Sequence, residues 1–394
     1  MSRYLLLLTN QPQFFVLVIQ RKSLTVARTH LPPLEEYVGY LREIWEEGQV
    51  TNNGPLARQL EHRLGQYLTV PYLQFVSNGT VALQLALNAL ELRGEVITTP
   101  YSYVATSNAV HWEQCRPVFA DIDPRSLCID PQRIEEKITE HTTAILATHV
   151  YGYPCDVHAI ARLAERYHLK VIYDGAHAFG VKVNGTSIYE YGDVSTISFH
   201  ATKVYHTIEG GAVITHDATL NERVFLSKAF GHRADEHYRV GINGKNSELH
   251  AAMGLCNLPI IDDMIRYRRY LSEGYVAQLA GLPVRTFQPD ASLTYNYAYF
   301  PIVLEDFETM QRVRQALEKE QIFPRRYFYP ALNTLPYHSG GPHSGGPHPG
   351  GPHQRDSCPV AEDVAQRVLC LPLYDTLEEE DVDLISSVLR KTLS

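Results

Sequence analysis

The sequence has 394 residues, of which 44% are hydrophobic and 20% are charged. This balance is ordinary for a globular protein, and the length predicts two or three domains. The net charge of −9 argues against a nucleic-acid partner, because a nucleic-acid-binding surface needs a basic face. The six cysteines are widely spaced without a C-x-x-C pair, so we expect no disulfide framework, no metal site and a cytoplasmic location.

The N-terminus contains two apolar runs, Tyr4–Leu8 and Phe14–Ile19, separated by the polar stretch Thr9–Gln13. Neither run is long enough to span a bilayer, and a secretory signal would have an unbroken apolar core. We therefore expect no membrane partner and interpret residues 1–28 as a poorly ordered extension.

Two helices open the regular part of the chain: one begins within Pro32–Tyr37 and runs to about Glu47, and the other is Leu56–Leu68. Strands and helices then alternate, and several strands are continuously apolar, as strands covered on both faces are. The predicted strands are Leu73–Ser77, Glu95–Thr99, Pro117–Asp121, Ala144–His149, Lys170–Asp174, Val194–Phe199 and Gly211–His216, with helices between them such as Val81–Leu92, Pro131–Thr139 and Val157–Tyr167. We predict an α/β fold with a mostly parallel seven-stranded sheet in a large domain, residues 29–260.

A helical region, Glu248–Leu279, leads into a smaller α+β domain, residues 261–394, with a strand near Tyr297–Val303 and helices near Glu308–Lys319 and Glu378–Thr392. Within it Gly-Gly-Pro-His occurs three times at a period of five residues. Gly and Pro at this density cannot pack a core, so we predict a surface loop at residues 338–356. Four histidines fall in register and could bind a metal weakly, but we favour a repeat expansion: His338, His343, His348 and His353.

Polar motifs follow the predicted strands, at the edge where open α/β sheets bind ligands. The first, Ser77 to Thr80, precedes a helix, so its glycine and free backbone N–H groups can hold a phosphate, although it is also an ordinary helix cap. The second is Asp174, a carboxylate closing an apolar strand. Unless it caps a helix, it requires a cationic partner, a metal or a protonated ring nitrogen.

The third motif, Ser198 to Lys203, places an amine in a turn after a strand, either as a Schiff-base lysine or as a solvated surface residue. The fourth, Gly241 to Glu248, is by itself only a capped helix start. One cofactor accounts for these motifs: pyridoxal 5'-phosphate (PLP) needs an anion site, a carboxylate at its pyridine nitrogen and an imine-forming lysine. We therefore predict PLP at Lys203 and Asp174.

From about Thr29 to the C-terminus, the sequence resembles the DegT/DnrJ/EryC1/StrS family of PLP-dependent sugar aminotransferases. The matching motifs are S-N-G-T-x-A-L at Ser77–Leu83, P-Y-S-Y-V-A-T at Pro100–Thr106, H-V-Y-G-Y-P at His149–Pro154, D-G-A-H at Asp174–His177, S-F-H-A-T-K-V-Y-H-T-I-E-G-G-A at Ser198–Ala212 and G-I-N-G-K-N-S-E-L-H-A-A at Gly241–Ala252. The resemblance implies the fold-type I aminotransferase architecture, with a large seven-stranded domain and a smaller C-terminal domain.

The resemblance also implies roles for single residues. Lys203 would form the imine and shuttle a proton, and Asp174 would pair with the pyridinium. Tyr103 would stack on the ring, and His177 would hydrogen-bond its phenolic oxygen. Asn243 would reach the phosphate from the neighbouring subunit, which implies a homodimer. The other cofactor-binding candidates are the first motif and the serine before the lysine turn: Ser77, Asn78, Gly79, Thr80 and Ser198.

The lysine indicates amino transfer, because related sugar dehydratases have histidine at this position. The resemblance implies L-glutamate as donor and a nucleotide keto-sugar as acceptor, as in deoxyamino sugar synthesis for lipopolysaccharide O-antigen. The run after Lys203 and the loop around Asn53 resemble enzymes that aminate carbon 4 of a dTDP-4-keto-6-deoxyhexose. Arg325 and Tyr329 are candidates for substrate binding, or else an ordinary surface strand end. The alternatives are a carbon-3 aminotransferase, a PLP-dependent dehydratase or isomerase, and a catalytically degenerate regulator.

Overall fold

A computed structural model describes residues 23–338 and 356–394. The predictions for residues 1–22 and for 339–355 of the Gly-Pro-His loop lie outside the described residues. Within the described ranges, no helix is both long and apolar enough to cross a membrane. All six cysteines are buried and free.

A seven-stranded sheet forms the centre of the large domain. Its strands are β1 (Tyr72–Val76), β2 (Glu95–Thr98), β3 (Arg116–Phe119), β4 (Thr142–Thr148), β5 (Lys170–Asp174), β6 (Val194–Ser198) and β7 (Gly211–Thr215). Across the sheet they follow the order β1-β7-β6-β5-β4-β2-β3. The strand β7 is antiparallel to its neighbours β1 and β6, and the other pairs are parallel. The predicted mostly parallel sheet is confirmed, with strand ends within two residues of those expected.

Helices flank this sheet and build much of the small domain. They are α1 (Leu34–Glu47), α2 (Pro55–Leu68), α3 (Gly79–Ala89), α4 (Val104–Trp112), α5 (Pro131–Glu135), α6 (Val157–Tyr167), α7 (Ala218–Lys228), α8 (Glu248–Asn257), α9 (Ile261–Leu279), α10 (Phe307–Lys319), α11 (Pro359–Arg367) and α12 (Glu379–Leu393). The predicted helix Val157–Tyr167 is confirmed as α6. The predicted helix Pro131–Thr139 is too long, since α5 ends at Glu135.

Neighbouring residues along the central strands enter different hydrophobic cores. In β4, Ile145 belongs to the core that includes Leu60 of α2, whereas Leu146 belongs to the core that includes Ala82 of α3. Side chains alternate between the two faces of a strand, so a strand covered on both faces needs apolar residues at every position. This is the physical reason why these strands lack a polar–apolar alternation.

The predicted continuous helical region Glu248–Leu279 is wrong in one respect. It consists of α8 and α9, separated by a 3-10 turn at Leu258–Ile260. The cause is Pro259, because proline has no backbone N–H to donate and its ring displaces the preceding turn of helix.

A three-stranded antiparallel sheet forms the small domain, with strands β8 (Val284–Thr286), β9 (Phe300–Leu304) and β10 (Val368–Leu371) and with β9 in the middle. Helices α9, α10 and α12 contribute to the core of this domain. The segment that begins at Leu24 joins the small domain, because Leu24–Thr25 pairs in parallel with Ile322–Phe323. Leu24 is buried there.

Candidate active site

The candidate residues converge on the carboxyl edge of the central sheet. Strands β1, β5 and β6 end there at Val76, Asp174 and Ser198, and the antiparallel β7 begins there at Gly211. A Cβ atom added to Gly79 would lie 2.8 Å from the Cβ atom of Ser198, which is closer than real carbon atoms approach. Glycine is therefore required at position 79 for the first and third motifs to meet.

The first motif is both a helix cap and a possible anion site. The Asn78 side chain accepts a hydrogen bond of 2.8 Å from Val81 N, so it caps α3. The Ser77 amide donates to Gly244 O at 2.8 Å, which ties the fourth motif to the first. Gly79 and Thr80 form the first helical positions of α3, and the N–H groups of such positions have no partner within the helix. These N–H groups can bind an anion, assisted by the helix dipole.

Asp174 is a buried carboxylate at the end of β5, 5% exposed. Its Oδ2 accepts a hydrogen bond of 2.8 Å from Thr106 Oγ1, and its Oδ1 accepts one of 3.1 Å from Ala176 N. Burial raises the pKa of Asp174, while these two hydrogen bonds and the charge of Lys203 act in the opposite direction. A carboxylate in this environment gains from a cationic partner, such as a protonated ring nitrogen.

Lys203 lies in a tight turn after β6, where its amide donates to His200 O at 2.8 Å. Burial lowers the pKa of its ammonium to about 8, and the charge of Asp174 partly opposes this effect. The side chain borders a small cavity together with His177 and Tyr299. A lysine with this pKa has a substantial neutral fraction near neutrality, which is what attack on a carbonyl carbon requires.

His177 is buried among aromatic rings on the small-domain side of the site. Its ring stacks on Phe328, with centroids 5.6 Å apart, and meets the edge of Tyr299 at 5.0 Å. Burial, followed by the charge of Lys203, holds the pKa of His177 well below its ordinary value, so the ring is neutral. Its Nδ1 atom is buried without a hydrogen-bond partner in the described part of the chain. A buried nitrogen of this kind can hydrogen-bond a polar group that the described residues do not supply.

These groups fit the predicted cofactor. The close approach of Gly79 and Ser198 forms an anion cradle, Asp174 offers a carboxylate for a pyridine nitrogen, and Lys203 offers an amine for an aldehyde. The unpartnered Nδ1 of His177 fits a polar ring substituent. Residues from the ends of three strands thus supply the groups that PLP requires.

Tyr103 immediately precedes α4 and is 61% exposed, so its ring is free to cover a bound planar group. The same helix carries Thr106, which holds Asp174. The structure therefore brings the Pro100–Thr106 motif next to the site, as the family resemblance implies. The stacking role of Tyr103 stays a prediction.

The predicted substrate residues Arg325 and Tyr329 lie on a segment that reaches the site through Phe328, which stacks on His177. Arg325 is exposed, and Tyr329 is 47% exposed. The guanidinium of Arg326 lies 3.3 Å from the centre of the Tyr329 ring and therefore limits how that ring can move. Arg325 also forms an isolated antiparallel β-bridge with Cys370, and the contact of Arg325 and Tyr329 with substrate stays a prediction.

Asn53 is half-buried, and its carbonyl accepts a hydrogen bond from Arg58 at 2.5 Å. Asn243 is exposed, and its Oδ1 accepts a hydrogen bond of 2.8 Å from Lys245 Nζ. A single chain therefore shows Asn243 on the surface, next to Gly244, the residue that contacts Ser77. Its predicted contact with a phosphate in a neighbouring subunit stays untested.

Sequence reasoning missed several residues around Asp174. Ser102, Thr106 and Thr148 form a hydrogen-bonded chain of buried hydroxyl groups that ends on this carboxylate, and Phe328 stacks on His177. The sequence offers one weak signal: Ser102 and Thr106 are four residues apart in the Pro100–Thr106 motif, in which only Tyr103 has a predicted role. Nothing in the local sequence places Thr148 or Phe328 beside them, since they come from distant parts of the chain.

Comparison with known proteins agrees with this geometry. The model of the DegT/DnrJ/EryC1/StrS aminotransferase family matches residues 34–390. A Shigella dysenteriae protein named dTDP-4-amino-4,6-dideoxy-D-glucose transaminase is 41% identical, over 94% of this chain and 99% of the relative.

Two solved structures are similar over most of the chain. The structure of DesI in the presence of its TDP-sugar product has a TM-score of 0.86 and 32% identity, covering 94% of this chain and 93% of that one. The structure of NtdA from Bacillus subtilis with bound cofactor PMP has a TM-score of 0.82 and 28% identity, covering 91% and 82%.

Proposed function

The chain belongs to the DegT/DnrJ/EryC1/StrS aminotransferase family and is a sugar aminotransferase; from this premise we propose that it uses PLP attached to Lys203. We further propose that it moves an amino group from L-glutamate to carbon 4 of a dTDP-4-keto-6-deoxyhexose. The observation that carries the cofactor proposal is the amine of Lys203, with its pKa lowered to about 8, near the buried carboxylate of Asp174.

The site residues divide the chemistry among them. PLP, when bound, supplies a ring that accepts the electrons released when a Cα–H bond breaks. Lys203 Nζ is the base that takes this proton from one carbon and returns it to another. Asp174 holds a proton on the ring nitrogen, and the neutral His177 hydrogen-bonds the ring oxygen. Gly79 and Thr80 bind the phosphate through their backbone N–H groups.

The overall exchange balances without an external oxidant or reductant. L-glutamate loses its amino group and becomes 2-oxoglutarate, so its Cα is oxidised to a ketone. The sugar ketone is reduced to an amine at the same time. The two half-reactions use one site in turn, so we expect ping-pong kinetics.

The proposed sugar rests on the relatives. The Shigella protein, at 41% identity, is named for an amino group on carbon 4 of a dTDP-linked 6-deoxyhexose. The DesI structure likewise holds a TDP-sugar product. This agreement favours carbon 4 over carbon 3 and a dTDP-linked substrate over other nucleotides.

The cofactor is tested with purified protein and PLP. We expect an absorption band in the near-ultraviolet or visible region. Borohydride reduction should leave the cofactor covalently attached to the peptide that contains Lys203. Lys203→Ala is the matched control and should bind PLP without a reducible linkage. A wild-type protein that stays colourless after PLP addition contradicts the cofactor proposal.

The reaction is tested by incubation with L-glutamate and a panel of dTDP-, GDP- and UDP-linked 4-keto and 3-keto sugars. Product identification by NMR should show a new C–N bond at carbon 4 of the dTDP-linked 6-deoxy sugar, together with 2-oxoglutarate. Loss of a sugar hydroxyl without amination would indicate a dehydratase. Binding of PLP without turnover of any sugar would indicate the degenerate regulator.

A further inference from the structure

Three buried hydroxyl groups lead in a line to the carboxylate of Asp174. Thr148 Oγ1 donates to Ser102 Oγ at 3.1 Å, Ser102 Oγ lies 2.7 Å from Thr106 Oγ1, and Thr106 Oγ1 donates to Asp174 Oδ2 at 2.8 Å. The three hydroxyl residues are at most 2% exposed. They come from β4, from the turn before α4 and from α4 itself, so the fold assembles this chain from separate elements.

The direction of every hydrogen bond in this chain follows from the charge of Asp174. An ionised carboxylate only accepts, so Thr106 must use its single proton on Asp174. Thr106 then accepts from Ser102, and Ser102 accepts from Thr148. Hydrogen bonds that point the same way in a buried site strengthen one another.

A neutral, protonated Asp174 fits this chain of hydroxyl groups less well than the carboxylate does. If its proton is donated to Thr106, all three hydroxyl groups reverse and Thr148 needs an acceptor for its proton. Within residues 23–338 and 356–394, the Thr148 hydroxyl forms a hydrogen bond only with Ser102. If its proton lies on the other oxygen of Asp174, Thr106 still donates to Oδ2, but a neutral oxygen accepts more weakly than a charged one. Burial alone favours the neutral acid, so an opposing interaction is needed to keep the charge.

We propose that Thr106, Ser102 and Thr148 form a positioning chain that keeps Asp174 ionised and oriented toward the ring nitrogen of the cofactor. This inference rests on the proposed function, because it assigns Asp174 to that nitrogen. None of the three residues is a catalytic residue in this scheme, since each acts through Asp174. Their contributions decrease with distance from the carboxylate, in the order Thr106, Ser102, Thr148.

The test uses the full-length holoenzyme reconstituted with PLP that carries nitrogen-15 in its ring. The nitrogen-15 chemical shift reports whether the ring nitrogen is protonated, which a merely structural role would not change. In Thr106→Val we expect a shift toward the unprotonated ring. We also expect kcat per bound cofactor to fall by about 10–100-fold, as expected for loss of a hydrogen bond to a charged group. Thr106→Ser keeps the hydroxyl and should restore both readouts.

Thr98, which lies outside the positioning chain, offers a matched control. Its buried hydroxyl donates to Leu146 O at 2.8 Å in the same sheet. Thr98→Val removes a comparable hydrogen bond without touching Asp174 and should leave the nitrogen-15 shift unchanged. Ser102→Ala should give a smaller decrease in kcat, about 2–10-fold, because Thr106 still donates but is no longer polarised.

The outcomes separate this proposal from the proposed function. A wild-type protein that does not bind PLP overturns the function. A wild-type protein with a protonated ring nitrogen, together with an unchanged shift and rate in Thr106→Val, overturns the positioning chain alone. Should Thr106→Val fail to fold, Ser102→Ala and Thr106→Ser decide: unchanged Ser102→Ala values overturn the proposal, and a graded loss supports it.

Discussion

At the scale of single residues, the surroundings of Lys203 set its chemistry apart from that of the surface lysines. Its ammonium loses hydration on burial, which lowers the pKa to about 8 from the ordinary 10.5. The charge of Asp174 opposes this shift without cancelling it. This difference comes from desolvation, which depends on the elements packed around Lys203 rather than on its neighbours in the sequence.

The lowered pKa predicts selective reactivity of Lys203 in the apo-protein. At pH 7.5 a group with a pKa near 8 has a neutral fraction about 200-fold larger than that of an ordinary lysine. We expect the acetylation rate of Lys203, measured by peptide mass spectrometry, to level off above about pH 8. The exposed Lys391, measured in the same digests, provides the comparison.

Asp174→Asn provides the control for this titration. It removes a negative charge that raises the pKa of Lys203, so the half-maximal rate should move to lower pH. A Lys203 profile that follows that of Lys391 in the wild-type protein would show that the amine is fully hydrated, and would remove the physical basis for its role.

At the scale of elements, the start of α8 holds the start of α2. The Glu248 carboxylate accepts hydrogen bonds from Leu56 N at 2.7 Å and from Ala57 N at 3.1 Å. Glu248 is 1% exposed, and a Cβ atom on Gly54 would lie only 2.5 Å from it. The carboxylate thus caps α2 through Leu56, which lies 192 residues earlier in the sequence. It also fixes the loop that contains Asn53.

Removing this cap should destabilise the protein strongly. Glu248→Ala leaves two buried N–H groups without a partner, and we expect the free energy of unfolding to fall by about 3 kcal/mol. Urea unfolding measures this change. The control is Glu273→Ala, which removes an exposed i,i+4 ion pair with Arg269 and should cost less than about 0.5 kcal/mol. Equal effects of the two substitutions would contradict the capping role.

At the scale of the whole molecule, the N-terminal segment joins the two domains. His30 Nδ1 lies 2.6 Å from Asp375 Oδ2 in the small domain, and His30 O is 2.8 Å from the Nε2 atom of His206. His206 lies three residues after Lys203, so the segment connects the small domain to the lysine turn. Deletions that extend into residues 24–30 therefore affect the site as well as stability.

The surface near Asn243 has the character expected for the homodimer that the family resemblance implies. Tyr238, Val240 and Ile242 are 57%, 86% and 43% exposed, an unusual run of apolar side chains for a surface in contact with water. They lie just before the residue that the family resemblance assigns to the site of a neighbouring subunit. A second copy of the chain would cover these side chains, and its phosphate site would then lie next to Asn243 of the first copy.

Subunit mixing tests whether the site is shared. Lys203→Ala removes the amine, and Asn243→Asp places a negative charge against the phosphate, so each variant alone should be inactive. If Asn243 serves the partner's site, mixed dimers contain one intact site, and an equal mixture after subunit exchange should recover about one quarter of wild-type activity. If Asn243 serves its own chain, no activity returns. Lys203→Ala mixed with Asp174→Ala is the matched control and should stay inactive.

Much of the fold followed from local sequence. Several of the seven central strands are continuously apolar because both of their faces are covered. The alternation of such runs with helical segments predicted the positions of all seven strands to within two residues. Local patterning failed at Pro259, where two amphipathic helices appeared as one. It also gave no sign of β10, whose role depends on its pairing with β9.

For the candidate site, the sequence by itself predicted which residues supply the reacting groups. Lys203, Asp174 and the Ser77–Thr80 motif each follow a predicted strand, and parallel strands place such positions at one edge. Sequence also indicated the family, since its motifs occur in order along the chain.

Only the tertiary structure decided what surrounds these groups. The order β1-β7-β6-β5-β4-β2-β3 brings Thr148 and Thr106 to Asp174, and the small domain brings Phe328 to His177. These contacts join residues far apart in sequence, whose side chains carry no local pattern. Burial then sets the pKa directions of Lys203 and Asp174, because desolvation depends on every element packed around a charge.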